Sequence, residues 1–124
     1  MTKAIASAFD TSDQEAALKL FADIAAMSPD TAGVSRPAFS QLETDTLSYI
    51  ESFANGAGLV CQYDAAMNLV MSLPENADAK QYLLVGSHVD TVPMGGNYDG
   101  LAGVLAGLMC LVRARKSQRT FTRP

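Results

Sequence analysis

From residue 12 to 27 the apolar side chains Ala16, Leu20, Phe21, Ile24 and Met27 recur at the spacing of one helix face. Ser12 and Glu15, three apart at the head of that run, form a capping-box signature. A turn-rich connection from Ser28-Pro29-Asp30 to Pro37 follows. A second helix is predicted over about 41–55, with Leu42, Thr46, Tyr49, Ile50 and Phe53 along one side and Gly56 and Gly58 ending it. The period then shifts to that of strands: 59–63 and 68–73, joined by the short turn Asp64-Ala65-Ala66-Met67, predict a hairpin. After a loop at 74–78, the run Tyr82-Leu83-Leu84-Val85 suits a strand covered on both faces, spanning 81–88. A final helix opens at Asp99. Its apolar stretch 101–112 falls well short of the roughly 20 residues that span a bilayer, so it is expected to be buried. Gly100, Gly103 and Gly107 share one side of it, which lets the helix lie close to the sheet.

Composition adds little to this outline. With 48% hydrophobic residues, 18% charged and a net charge of −4, the chain has the balance of an ordinary soluble domain. Charge is unevenly spread: every acid lies at or before Asp99, while Arg113, Arg115, Lys116, Arg119 and Arg123 crowd the end. Cations at a helix C-terminus complement its dipole, and this explains the cluster better than nucleic acid or membrane binding, neither of which is expected. Cys61 and Cys110 are far apart, with no secretory leader before them, so two free thiols in the cytoplasm are expected.

The candidate chemistry sits where the last predicted strand gives way to the last helix. Gly86-Ser87-His88-Val89-Asp90-Thr91-Val92-Pro93 is followed by Gly95-Gly96-Asn97-Tyr98-Asp99-Gly100, which places the single histidine of the chain between two carboxylates. A lone histidine often merely faces solvent, and an aspartate before Gly-Leu-Ala-Gly is a natural helix N-cap. The whole string favours a metal site at strand C-terminal ends. Imidazole and carboxylate are zinc ligand types, and a carboxylate two residues after the histidine can orient its ring.

These strings resemble the zinc-dependent amidohydrolases that include N-carbamoyl-L-amino-acid hydrolases, allantoate amidohydrolases and beta-ureidopropionases, relatives of the dinuclear zinc exopeptidases. The likeness runs from about Leu18 to Arg113. It also takes in Gly33-Val34-Ser35-Arg36, Asp64-Ala65-Ala66-Met67-Asn68-Leu69 and Gly103-Val104-Leu105-Ala106-Gly107-Leu108. The resemblance implies an α/β fold: a layered, mixed sheet with helices over it, as in a zinc-exopeptidase-like catalytic domain, here cut short. Residues 1–113 would be the N-terminal part of that domain and 114–124 a basic tail unlike the family.

By the same resemblance His88 binds one metal ion, Asp99 bridges two, and the catalytic Asp90 hydrogen-bonds His88 and fixes its tautomer. The cofactor implied is Zn2+, or Mn2+ or Co2+ in its place, with two ions in the complete enzyme. The reaction implied is hydrolysis of linear C–N bonds in carbamoyl, ureido or allantoate-type small molecules, by an enzyme whose full-length relatives are homodimers. The family also uses a Glu-Glu pair and later histidines. This sequence has no Glu-Glu and no second histidine, so the chain alone is expected to be inactive. A metallo-exopeptidase shares His-x-Asp and the later aspartate, and a non-catalytic remnant or complementing module is the reading from another class. Arg36 is expected to be a surface arginine near a turn. Relatives commonly carry glycine where Met67 stands, so a positive φ there would strain this chain.

Overall fold

The computed structural model describes residues 11–119 and 121. Helix α1 spans Thr11–Met27, α2 Gln41–Gly56, and α3 Leu101–Lys116; between the last two lie strands β1 (Val60–Tyr63) and β2 (Leu69–Ser72) and a short 3-10 turn at Pro74–Asn76. Helix α1 starts at Thr11, which puts Ser12 inside its first turn rather than at the cap. A variant of the capping box, displaced by one residue at its return bond, belongs instead to α2. There Ser40 accepts from the amide of Glu43, and the Glu43 carboxylate reaches back to the amide of Phe39.

Each helix turns one stripe inward. Leu20 and Ile24 of α1 and Ile50 and Ala54 of α2 meet Leu101, Leu105, Leu108 and Val112 of α3, with Leu59, Leu73 and Val89 closing the core from the hairpin and the site loop. The four α3 residues fall at steps of four, three and four, so within 101–112 only that stripe is buried, Ala114 near the helix end being covered separately. Ala102, Ala106 and Cys110 on the other side of α3 are exposed, and the apolar run that implied a wholly buried helix is buried on one face only. Asp13, 5% exposed, ties α1 to α3 through Lys116 at 2.5 Å and Arg113 at 3.7 Å. Two of the terminal cations are thereby engaged within the fold. Tyr49 of α2 donates to Asp23 of α1, and that bond pushes the Tyr49 phenol up to about 12.

The hairpin pairs antiparallel with Val60 opposite Ser72 and Tyr63 opposite Leu69. Asp64 organises its turn, accepting from the amides of Ala66 and Asn68 and from the Asn68 side chain. These bonds, that of the Asn68 side chain foremost, hold its carboxyl below the usual carboxylate range. The turn closes through Met67 at φ +64°, a conformation that a side chain disfavours and glycine does not. Met67→Gly is therefore expected to stabilise the fold by about 1 kcal/mol, read as a higher denaturant midpoint at unchanged slope.

The α/β class is as expected, with helices packed on a two-stranded antiparallel sheet. The run 81–88, expected as a covered strand, differs. It pairs with no other segment among the described residues, and Tyr82, Leu83, Leu84 and Val85 are 66–79% exposed. A strand exists only through its ladder partners, and the run lies along neither free edge of the two-stranded sheet. One side of the run does find a neighbour, the glycine face of α3: a Cβ at Gly107 would stand 3.6 Å from Val85 Cγ1, and one at Gly103 only 2.8 Å from Ser87 Cβ. An unpaired apolar edge recruits other chains. Sedimentation of this polypeptide is thus expected to show self-association that Leu83→Lys with Val85→Lys reverses; a monomeric wild type with a sharp cooperative melt would contradict it.

Candidate metal site

The loop from His88 to Gly100 is anchored on two sides before it reaches α3. On one side the backbone of Val34 bridges Gly95 through bonds of 2.8 and 3.0 Å, and Ser35 accepts from the amide of Met94. On the other, the Asn97 side chain donates to the carbonyl of Phe21 in α1, and Tyr98 packs edge-on against the Phe21 ring at 5.1 Å. These contacts fix the chain immediately ahead of Asp99. Gly100 then turns with φ +66° and caps α3. The helix N-cap is Gly100, with no side-chain capping bond, and the Asp99 carboxylate stands in solvent beside His88.

His88 and Asp99 meet across this loop. Nε2 of His88 lies 3.9 Å from Asp99 Oδ2, while Nδ1 lies 3.1 Å from both Oδ1 and the carbonyl oxygen of Asp90. Both Asp90 atoms are acceptors, so Nδ1 is the donor there, and in the neutral ring it is Nε2 that presents its lone pair toward Asp99. A lone pair and an anionic oxygen held face to face favour a positive charge between them. Tetrahedral bonds of about 2.0 Å hold two donors about 3.3 Å apart, so the pair must close from 3.9 Å by about half an ångström to share one zinc-sized cation. All three side chains are open to solvent, at 52% for His88, 37% for Asp90 and 79% for Asp99.

Among the described residues no group of three or more His, Cys, Asp or Glu side chains is arranged to hold a metal ion. A catalytic zinc site typically takes three protein ligands and a water. The donor set here suits such a cation in kind and supplies only part of its shell.

Arg36 departs from the sequence expectation. It is 0% exposed rather than a surface residue. Its Nε donates to the carbonyl of Val89 at 2.5 Å and its Nη1 to Ser28 Oγ at 2.9 Å, while its amide donates to Thr91 Oγ1 and its carbonyl accepts from the amide of Thr91. Its Nη2 is buried without a partner. Burial pulls the guanidinium below its ordinary pKa, against the charges of Asp90 and Glu43. Sequence reasoning missed this residue, together with Asn97 and Tyr98. The available signal was that Arg36 is the single charge in the twelve residues from Thr31 to Leu42, a setting more typical of a buried role than of a solvated turn.

The likeness to known proteins falls among hydrolases. The chain is similar to a part of hydantoinase- and carbamoylase-type amidohydrolases. The N-carbamoyl-L-amino acid amidohydrolase of Geobacillus stearothermophilus is 40% identical over 76 residues, 61% of this chain and 19% of that protein. The allantoate amidohydrolase of Bacillus subtilis is 29% identical over 85 residues, covering 68% of this chain and 21% of its own length. A crystal structure of a hydantoinase/carbamoylase family amidase from Burkholderia ambifaria superposes with a TM-score of 0.72 at 30% identity, over 84% of this chain and 26% of that one. No family model matches. The chain thus spans about a fifth of the length of these curated relatives.

Proposed function

We propose that this chain is part of a metal-dependent hydrolase that cleaves linear C–N bonds outside peptides, in N-carbamoyl amino acids, ureido compounds or allantoate-type substrates. The observation that carries the proposal is the facing pair, His88 Nε2 and Asp99 Oδ2, with the opposite ring nitrogen engaged by Asp90. His88 and Asp99 would hold Zn2+, or Mn2+ or Co2+, since imidazole and carboxylate accept all three. Such ions, two in the complete enzyme, would supply Lewis-acid polarisation of the bond under attack and a bound water of lowered pKa. Asp90 keeps the hydrogen on Nδ1, raises the basicity of the ring and stops it rotating away from Asp99.

Relatives named for N-carbamoyl-L-amino acids and allantoate support the substrate class. With one histidine and no Glu-Glu pair, the chain alone holds an incomplete donor set and is inactive. In this proposal the catalytic-domain piece runs past the expected boundary at 113 to the end of α3 at Lys116, since Ala114 is buried and Lys116 pairs with Asp13, and the complete protein works as a homodimer on small molecules. Cys61 and Cys110 are both free thiols, which suits a reducing cytoplasm. No helix among the described residues is long and apolar enough to cross a membrane.

The exposed, unpaired run Tyr82–Val85 favours a second reading, a module completed by another polypeptide. The two readings separate when the chain is assayed with N-carbamoyl amino acids, allantoate and dipeptides, with and without the remaining segment of a relative, and bound metal is measured by elemental analysis. Turnover only with the added segment is expected, with weak metal binding by the chain alone that the segment tightens. Neither in both conditions would leave a remnant, and turnover of dipeptides alone would make it an exopeptidase.

A further inference from the structure

The neighbours of Asp90 in sequence, Val89 and Thr91, are both tied to one buried residue. Arg36 holds the Val89 carbonyl through Nε at 2.5 Å and exchanges two bonds with Thr91, amide to Oγ1 at 2.9 Å and carbonyl from the Thr91 amide at 2.8 Å. Val89 and Thr91 are themselves 5% and 7% exposed, so they are fixed in the protein while Asp90 between them stays half-open. Behind the guanidinium, Nη1 reaches Ser28 Oγ at the end of α1. From this bracketing we infer that Arg36 is the positioning residue that sets Asp90, and through Asp90 the orientation and tautomer of His88.

The energetics argue for a role beyond packing. A buried guanidinium whose Nη2 finds no acceptor is destabilising relative to an apolar side chain of similar volume. Stability alone gives no reason to place one there. An arginine offers what no apolar residue does, a rigid fork that engages a carbonyl and a hydroxyl at once while its backbone engages a third residue. Lysine cannot reproduce that fork.

The inference rests on the proposed metal site for its functional meaning, and the test keeps the two apart. The chain, labelled with 15N, is compared as wild type, Arg36→Lys, Thr91→Val and a core control, Ile50→Val, at a pH well above the ordinary histidine range. Wild type and control are expected to show His88 with the hydrogen on Nδ1 alone. Arg36→Lys and Thr91→Val are expected to show a mixture of both tautomers. Co2+ titration of the same samples is expected to weaken by about tenfold to a hundredfold in the two site variants. If Arg36→Lys does not fold, Thr91→Val decides.

An unchanged His88 spectrum in the folded site variants would overturn the positioning role, as would an equal change in Ile50→Val. Absence of Co2+ binding in wild type, or binding that survives His88→Ala, would instead remove the metal site. The tautomer comparison would still decide the role of Arg36.

Discussion

Alanine at His88 or at Asp99, in a chain completed with the remaining segment of an amidohydrolase relative, is expected to lower turnover by about a thousandfold or more, on the order of 4 kcal/mol in the barrier. Each substitution removes one of the two groups that face each other at 3.9 Å. A cation between them then loses half of what this chain contributes to its shell. His88→Ala leaves Asp90 and Asp99 as two carboxylates with no neutral donor between them, and Asp99→Ala leaves a single imidazole exposed to water. Metal content should fall along with turnover in both variants. Asp90→Ala is milder, about tenfold to a hundredfold, because the ring loses its orienting acceptor and keeps its coordinating nitrogen. Turnover retained in His88→Ala, with metal content measured, would end the assignment.

Gly100→Ala is expected to destabilise the chain by about 3 kcal/mol, the sum of a left-handed backbone penalty and a steric one. At φ +66° the added Cβ would stand 2.5 Å from the His88 carbonyl oxygen and 2.5 Å from its ring Cε1. The ring could swing aside, but the carbonyl cannot move without shifting the 85–88 segment along α3, where Gly103 already gives Ser87 no spare room. Stability and site geometry therefore fail together. Denaturant unfolding and Co2+ titration of the same variant are the measurements, and a variant with unchanged midpoint and unchanged affinity would contradict the close approach. Ala102→Gly, on the exposed side of α3, is the control: it should cost about 1 kcal/mol of helix propensity and leave Co2+ affinity alone.

The helices and the hairpin were legible because their signals are local. Leu20 and Ile24, Thr46 and Ile50, and the alternation around Asp64–Met67 depend on neighbours three, four or two residues away, and the structure places these elements within a residue or two of the expected bounds. The strain at Met67 was readable from the resemblance, whose members commonly carry glycine there, and the structure gives the position φ +64°. The glycines of α3 marked a close approach, though not its partner. That partner is the extended 85–88 segment, brought against the helix by packing among residues far apart in the chain.

What failed was non-local. The run 81–88 has every strand property that a sequence can show, yet pairing is a relation between segments, and the described chain brings no second segment to it. Arg36 was misplaced because charge alone argues for the surface; only the fold brings Val89, Ser28 and Thr91 around it as hydrogen-bonding partners and makes burial tolerable.

By itself, then, the sequence determined which stretches coil into helices, where the hairpin turns, and which three side chains, His88, Asp90 and Asp99, enter the proposed cation site. Tertiary structure alone decided which ring nitrogen of His88 faces Asp99, which buried group brackets Asp90, and which apolar run stays uncovered. The physical reason is range. Helix and turn preferences are fixed within a few bonds of each residue, whereas a ligand geometry of a few ångströms is set by loops anchored to α1, to residues 34–36 and to α3, and exists only once all three have packed.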